Sequence, residues 1–277
     1  MISNKKWFNP RCVKWARTVL AFCLLAAIPV LAADDGWIPL FNGKNLDGWY
    51  TYLGSTGKNN DPKGVFKVEK GMIHILDLPV TDEPQDAGYL ATNQEYSDVL
   101  IHVEYRWGSK RFRDKDAPLA PGGKRDSGVL YLMVGPDRIF PASLECQIEE
   151  TDTGDLWITG NLWVDVKVQS PEFLAWVDLD GGVRHTQAGP LARIAKSGDF
   201  EDRTAWNTVE VVLRGDQATH IVNDRIVNHV TRIRQPDPND RFHLVPLKSG
   251  RILLEAEGSE IWFRNVKVKP LKPDQQP

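Results

Sequence analysis

A chain of 277 residues, 42% of them hydrophobic, has enough material for a sizeable core, and a formal net charge of −3 leaves no basic surplus for a phosphate backbone. Three cysteines are too few for a disulfide-stapled scaffold, so stability has to come from buried apolar surface. Nucleic-acid binders and small disulfide-rich folds are set aside on these grounds.

The N-terminus carries Lys5, Lys6, Arg11, Lys14 and Arg17, with no acidic residue before Asp34. An apolar run over 19–31 follows, interrupted by Pro29 and closed by Ala32 and Ala33. A basic start, a short apolar centre and small residues at its end describe a secretory signal peptide, with cleavage expected near Ala32 or Ala33. The run is shorter than the roughly 20 apolar residues of a membrane span, so no span is expected after cleavage. Phe22 before Cys23 is too bulky for a lipoprotein signal. A periplasmic or secreted location is the resulting expectation. Losing residues 1–33 removes five basic residues and no acidic ones, which makes the mature chain more acidic; it also removes Cys12 and Cys23 and leaves Cys146 alone.

The remainder, residues 34–271, shows almost no helical period. Short runs alternate apolar and polar residues over 65–68, 72–76, 98–107, 128–134, 143–149, 208–214, 218–222, 226–231, 251–255 and 261–270. Turn residues such as Glu69-Lys70-Gly71, Arg214-Gly215-Asp216 and Asn223-Asp224 separate them. Many antiparallel strands at this spacing predict an all-β sandwich or jelly roll. Two stretches, 110–124 and 151–204, read as long irregular loops, the second carrying Trp157, Trp163 and Trp176. Long loops in a compact domain commonly carry function. The Pro- and Gln-rich tail over 272–277 reads as disordered.

Successive strand residues face opposite sides, so each run divides into two faces. Over 98–107 the apolar side takes Val99, Ile101, Val103, Tyr105 and Trp107, and the other takes His102, Glu104 and Arg106. Over 143–149 Leu144, Cys146 and Ile148 share one side and Glu145, Gln147 and Glu149 the other. Ser127, Val129 and Tyr131 fall together, just after Arg125 and Asp126. A solvated sheet face is the ordinary explanation of such polar rows. Here the polar residues are long hydrogen-bonding types near a tryptophan-rich loop, a combination suited to the hydroxyls and apolar face of a sugar.

An ordinary two-carboxylate glycosidase fits poorly. Its carboxyl groups stand about 5–9.5 Å apart, whereas Glu145 and Glu149 lie about 13 Å apart along a regular strand with Gln147 between them. No Gly-x-Ser-x-Gly elbow, phosphate loop or His-Glu-x-x-His pair occurs. By parity Cys146 is a core residue rather than a nucleophile, and His74 and His220 are compatible with structural hydrogen bonding.

Four blocks in order resemble the 3-keto-disaccharide hydrolase family. They are Leu40-Phe41-Asn42-Gly43-Lys44-Asn45-Leu46-Asp47-Gly48-Trp49, Arg125-Asp126-Ser127-Gly128-Val129, Leu144-Glu145-Cys146-Gln147-Ile148-Glu149 with Gly154-Asp155-Leu156-Trp157, and Glu257-Gly258-Ser259-Glu260-Ile261-Trp262-Phe263-Arg264-Asn265-Val266. The resemblance covers nearly all of residues 37–271. It implies a concanavalin A-like jelly roll of two curved sheets, and glycosides oxidised at C3 by a separate sugar 3-dehydrogenase. A ketone at C3 acidifies the C2 proton, so a base can remove it and the C1 oxygen can leave by elimination. Such a site needs a base, an electrophile over the C3 oxygen and hydroxyl binders, and no nucleophile.

By the same resemblance, Glu145 is the first choice for a catalytic acid, base or metal ligand. Arg125 belongs to the same polar floor, and His220 is the histidine to expect as base. Gln147, Glu149, Glu104, Arg106, Tyr131, Asp155 and Trp157 are the expected substrate binders, with Glu104 and Arg106 pairing and Asp155 and Trp157 shaping the rim. A divalent metal ion on oxygen ligands such as Glu145 is chemically reasonable, though no ligand spacing demands one. The family pattern is departed from at Asp126, where Asn is usual, and at Asp224, where Gly is usual. A non-catalytic carbohydrate-binding module and an endo-acting glucanase are the competing readings.

Overall fold

The computed structural model describes residues 36–81, 85–112, 123–170 and 175–272. The expected signal segment, residues 113–122 of the first long loop and the tail beyond Lys272 lie outside them. The described chain is all strand: β1 Ile38–Pro39, β2 Trp49–Leu53, β3 Gly57–Lys58, β4 Phe66–Glu69, β5 Met72–Ile75, β6 Gly88–Thr92 and β7 Val99–Arg111. There follow β8 Asp126–Val134, β9 Ala142–Glu149, β10 Leu156–Thr159, β11 Trp163–Val168, β12 Ala175–Trp176, β13 Val183–Ala188 and β14 Leu191–Ala195. The last third adds β15 Asn207–Arg214, β16 Gln217–Val222, β17 Arg225–Pro236, β18 Leu244–Pro246, β19 Arg251–Ala256 and β20 Ser259–Pro270. No helix among the described residues is long and apolar enough to cross a membrane.

These strands make two sheets. One runs β13-β11-β17-β16-β15-β7-β20-β5-β4, with β1 on β20 and β18 on β17; the other runs β12-β14-β10-β9-β8-β19-β6-β2-β3. Pairing is antiparallel except for the two-residue β12–β14 contact. This is the jelly-roll sandwich expected from the alternation. Its core is the set of inward residues the period selects, among them Val103, Tyr105, Val129, Tyr131, Leu144, Cys146, Val209, Val211 and Phe263. The strand crossings that interleave the sheets come from long-range pairing, such as β7 lying between β15 and β20.

The stretch 151–204 is not a loop. It holds β10 to β14, which extend the same edge of both sheets. Leu156, Ile158, Val164, Val166 and Val168 alternate into the core there, a signal masked by the intervening Gly, Asp and Trp residues. The Asn223-Asp224 turn is a tight hairpin with both residues at positive φ (47° and 62°), so it closes β16 onto β17 without glycine. The opening block is likewise structural. Asn42 accepts the backbone N–H groups of Lys44 and Asn45, and Trp49 Nε1 donates to the Leu40 carbonyl at 2.7 Å.

Candidate active site

On β9 the side chains of Glu145, Gln147 and Glu149 point away from the core, yet they are only 5–6% exposed. Neighbouring strands share this face. Gly128 stands opposite Gln147, Leu130 opposite Glu145 and Asp126 opposite Glu149, all on β8. The following strand places Glu255 of β19 on the same face, and Glu257 bridges to Asp126. On the other side Trp157 of β10 is opposite Glu145, and Arg193 of β14 is opposite Trp157. Five carboxyl groups therefore converge on one patch. Beyond it the face turns apolar, with Tyr50, Tyr89, Ala91, Leu130, Met133 and Leu253 packed together.

Glycine at 128 makes room for this arrangement. A Cβ there would fall 2.1 Å from Glu145 Oε1 and 2.9 Å from its carboxyl carbon. The Glu145 carboxyl lies in the space a side chain would occupy. Its Oε1 is buried without a hydrogen-bond partner, as are Asp126 Oδ1 and Trp157 Nε1. Buried polar atoms are nearly always paired, so three unpaired ones on one face mark where a ligand's polar groups would be satisfied.

Burial pushes the Glu145 carboxyl well above the usual range, and the charges of Glu257 and Asp126 push it further, against a hydrogen bond with Glu255. Asp126 is raised in the same way, by burial and then by Glu257 and Glu149. Glu149 is pushed up to about 7 by burial and by its hydrogen bond with Asp152, with Lys124 opposing. Asp152 goes the other way: burial is outweighed by hydrogen bonds from Lys124 and Glu149. The face thus holds two hydrogen-bonded carboxyl pairs, Glu145–Glu255 and Glu149–Asp152. Burial and the neighbouring carboxyls favour a retained proton on Glu145 and, below about pH 7, on Glu149.

Other expected site residues lie elsewhere. His220 points into the core between the sheets, where Nε2 meets Tyr131 Oη at 2.8 Å and Nδ1 meets the Gly154 carbonyl at 3.1 Å. Burial lowers it to about 4, so it is a neutral structural histidine. His220 is on the other sheet from Glu145 and faces the interior, and Tyr131 shares that interior position. Neither can touch a substrate on the carboxyl face, which corrects both expectations. Glu104 and Arg106 are on the outer face of the other sheet. There Glu104 accepts from Arg264 Nε (2.7 Å) and Asn265 Nδ2 (2.6 Å), while Arg106 stacks on Trp206. The expected Glu104–Arg106 pair is not formed, because both residues lie on one strand face and the cross-strand partner of Glu104 is Arg264.

Arg125 is also off the floor. Its Nε and Nη2 donate to Glu150 Oε1 at 2.9 and 2.6 Å, Nη1 donates to the Gly108 carbonyl, and the guanidinium lies 5.2 Å from the Trp107 ring centre. It clamps the two sheets at the end of the sandwich. Asp155 is an anchor, accepting the Lys196 N–H (2.9 Å) and Arg193 Nε, and is buried beneath them. Of the expected set, Glu145, Gln147, Glu149 and Trp157 share the face, and Asp155 is held beside them through Arg193.

Sequence reading missed Glu255, Glu257, Asp126 and Arg193. Alternation over β19 separates Glu255 from Ile252 and Leu254, and so carried the signal. As for a metal, the one group of three acidic or histidine ligand atoms within 4.8 Å of one another among the described residues is Glu69, His74 and Asp77, far from this patch. Lys67, Lys110 and Lys70 already pair with its carboxylates. Among the described residues the carboxyls around Glu145 form no such set.

A family model described as a 3-keto-alpha-glucoside-1,2-lyase-like domain matches residues 36–269. A search of curated proteins found no match. Among solved structures, a protein of Parabacteroides distasonis ATCC 8503 described as a candidate glycosyl hydrolase is similar over 86% of this chain and 94% of its own, at 18% identity and a TM-score of 0.50. The carbohydrate binding module CBM66 from Bacillus subtilis is similar over 80% of this chain and 95% of its own, at 11% identity and a TM-score of 0.45. Bacillus licheniformis beta-glucanase is similar over 86% and 98%, at 11% identity and a TM-score of 0.42. At 18% identity the likeness to the Parabacteroides protein speaks for the fold alone.

Proposed function

Because the chain belongs to the family of 3-keto-alpha-glucoside-1,2-lyase-like domains, we propose that it cleaves glycosides oxidised at C3, on the face that carries Glu145 and Glu255. The observation that carries this reading is the buried Glu145 carboxyl, set into the gap at Gly128 with one oxygen unpartnered and a second carboxyl bonded to it.

A carboxyl pair with one proton holds a base and an acid side by side. The ionised member takes the C2 proton, whose electron pair moves into the enolate toward the C3 oxygen. The C1–O bond then breaks, its electron pair leaves on the glycosidic oxygen, and that oxygen takes a proton from the pair. The products are the free alcohol and a 1,2-unsaturated 3-keto sugar, to which water can add at C1. Gln147 and Glu149 supply hydroxyl partners, and Trp157 offers an aromatic face with its indole N–H unspent. In this reading a separate sugar 3-dehydrogenase supplies the ketone. The basic N-terminus and its short apolar run support work in the periplasm or outside the cell.

The test is turnover of 3-keto-glucosides and 3-keto-trehalose against their unoxidised parents. Cleavage is expected for the keto sugars only, and Glu145→Gln should lower kcat by about 10²–10⁴-fold. Unchanged turnover in that variant would instead favour a role in carbohydrate binding for this face.

A further inference from the structure

The outer face of the other sheet carries a second constellation. Asp165 of β11, only 2% exposed, gathers three guanidinium groups. Its Oδ1 accepts hydrogen bonds from Arg234 Nη2 (2.7 Å) and Thr186 Oγ1 (2.9 Å), and its Oδ2 is ion-paired with Arg184 and, at 3.3 Å, with Arg232 Nη1. One carboxylate cannot neutralise three guanidiniums, each of which keeps N–H donors that Asp165 does not use. Two residues along the same strand face, Lys167 is exposed and forms no ion pair among the described residues. Four cations thus stand beside three carboxylates, Asp165, Asp178 and Asp180, and of the four only Lys167 has no ion-pair partner among the described residues.

The cluster borders a groove of about 690 Å³, lined by Asp165, Lys167, Arg184, Thr219, Ile226, His229 and Thr231, with Asp178 and Asp180 on its lip. The volume suits a ligand of one or two sugar rings. Thr219 Oγ1 and His229 Nδ1 lie 2.9 Å apart, so the other ring nitrogen of His229 is left for a ligand. Burial and the neighbouring Lys167 lower the His229 pKa, which keeps that nitrogen uncharged. Asp178 Oδ1 accepts the N–H groups of Asp180 and Gly181, fixing the lip. Ile226, with over half its surface exposed, and Leu179 give the groove an apolar wall.

We propose that this groove is a second saccharide site, specific for a sugar acid. The carboxylate would sit between Lys167 and Arg184, hydroxyls would face His229, Thr219 and the Asp178–Asp180 lip, and the C–H face of the ring would pack on Ile226. A bare oxyanion would leave the lip and the apolar wall unused, and a neutral sugar would leave Lys167 unpaired. The site lies on the other sheet from the carboxyl face.

Titration of the full protein with glucuronate, glucose and inorganic sulfate, followed by NMR of His229 and of Thr219 and Thr231 methyl groups, tests this. Saturable glucuronate shifts at these positions are expected with a millimolar Kd (about −4 kcal/mol). Lys167→Ala should weaken them at least about fivefold, and Glu145→Gln should leave them unchanged, which keeps the result independent of the proposed reaction. Equal binding of glucose, binding of sulfate without glucuronate, indifference to Lys167→Ala, or no saturation would each overturn the proposal.

Discussion

The side chain that Gly128 lacks would occupy the place of the Glu145 carboxyl: a Cβ there would stand 2.1 Å from Oε1. The two residues lie on neighbouring strands, with Glu145 paired to Leu130 and Gly128 to Gln147. Gly128 is in ordinary extended backbone, so its conformation does not require glycine; the space does. Gly128→Ala should therefore displace Glu145, lowering kcat about 10²-fold at a stability cost of about 1–3 kcal/mol. Steady-state kinetics beside thermal melts check this, and an active Ala variant would mean that the position of Glu145 is unimportant.

His220 and Tyr131 fill the core together, and their hydrogen bond is internal. His220→Ala should cost about 2–4 kcal/mol through the cavity and the orphaned Tyr131 hydroxyl. At a temperature where the variant is folded, its kcat should stay within about threefold of wild type, because the ring does not reach the carboxyl face. Denaturant melts and single-temperature kinetics separate the two effects.

Glu149 gives a pH signature. Its folded pKa of about 7 is above the ordinary carboxylate value, so its contribution to stability is full below about pH 4.5 and is lost as pH rises through 7. Glu149→Gln mimics the protonated acid, so the variant should melt higher than wild type at pH 8 and level with it near pH 4. His220 acts in the opposite sense. Its pKa is lowered to about 4, so its contribution is present above 6.5 and lost as pH falls toward 4. It is common to both proteins and cancels in the difference. A Tm difference independent of pH would contradict the assignment.

Arg264→Ala removes the partner of Glu104 on the far sheet. The side chain of Arg264 is 40% exposed, and the change should cost no more than about 1 kcal/mol and leave kcat unaltered. A large loss of activity would show that this face takes part in the reaction.

Much of this was legible from alternation. Parity put Cys146 in the core and Glu145, Gln147 and Glu149 together on the other side, and each lies there. Parity says which residues of one strand share a face; it does not say which strands become neighbours. Glu104 and Glu145 are both outward-facing, but on opposite sheets, because β7 pairs with β15 and β20 whereas β9 pairs with β8 and β10. For the same reason the convergence of Glu145 with Glu255, more than a hundred residues apart, was not readable. The strands hidden in 151–204 were missed because each is only two to six residues long and is bounded by turn residues.

In the proposed reaction the Glu145–Glu255 pair removes the C2 proton of a 3-keto-glycoside. The most direct measurement is cleavage of a 3-keto-glucoside in deuterated water, followed by mass and NMR analysis of C2 in the recovered sugar. Deuterium at C2, absent when Glu145 is replaced by Gln, is the expected result. Cleavage that leaves C2 fully protonated, or equal cleavage of the unoxidised glucoside, would contradict it.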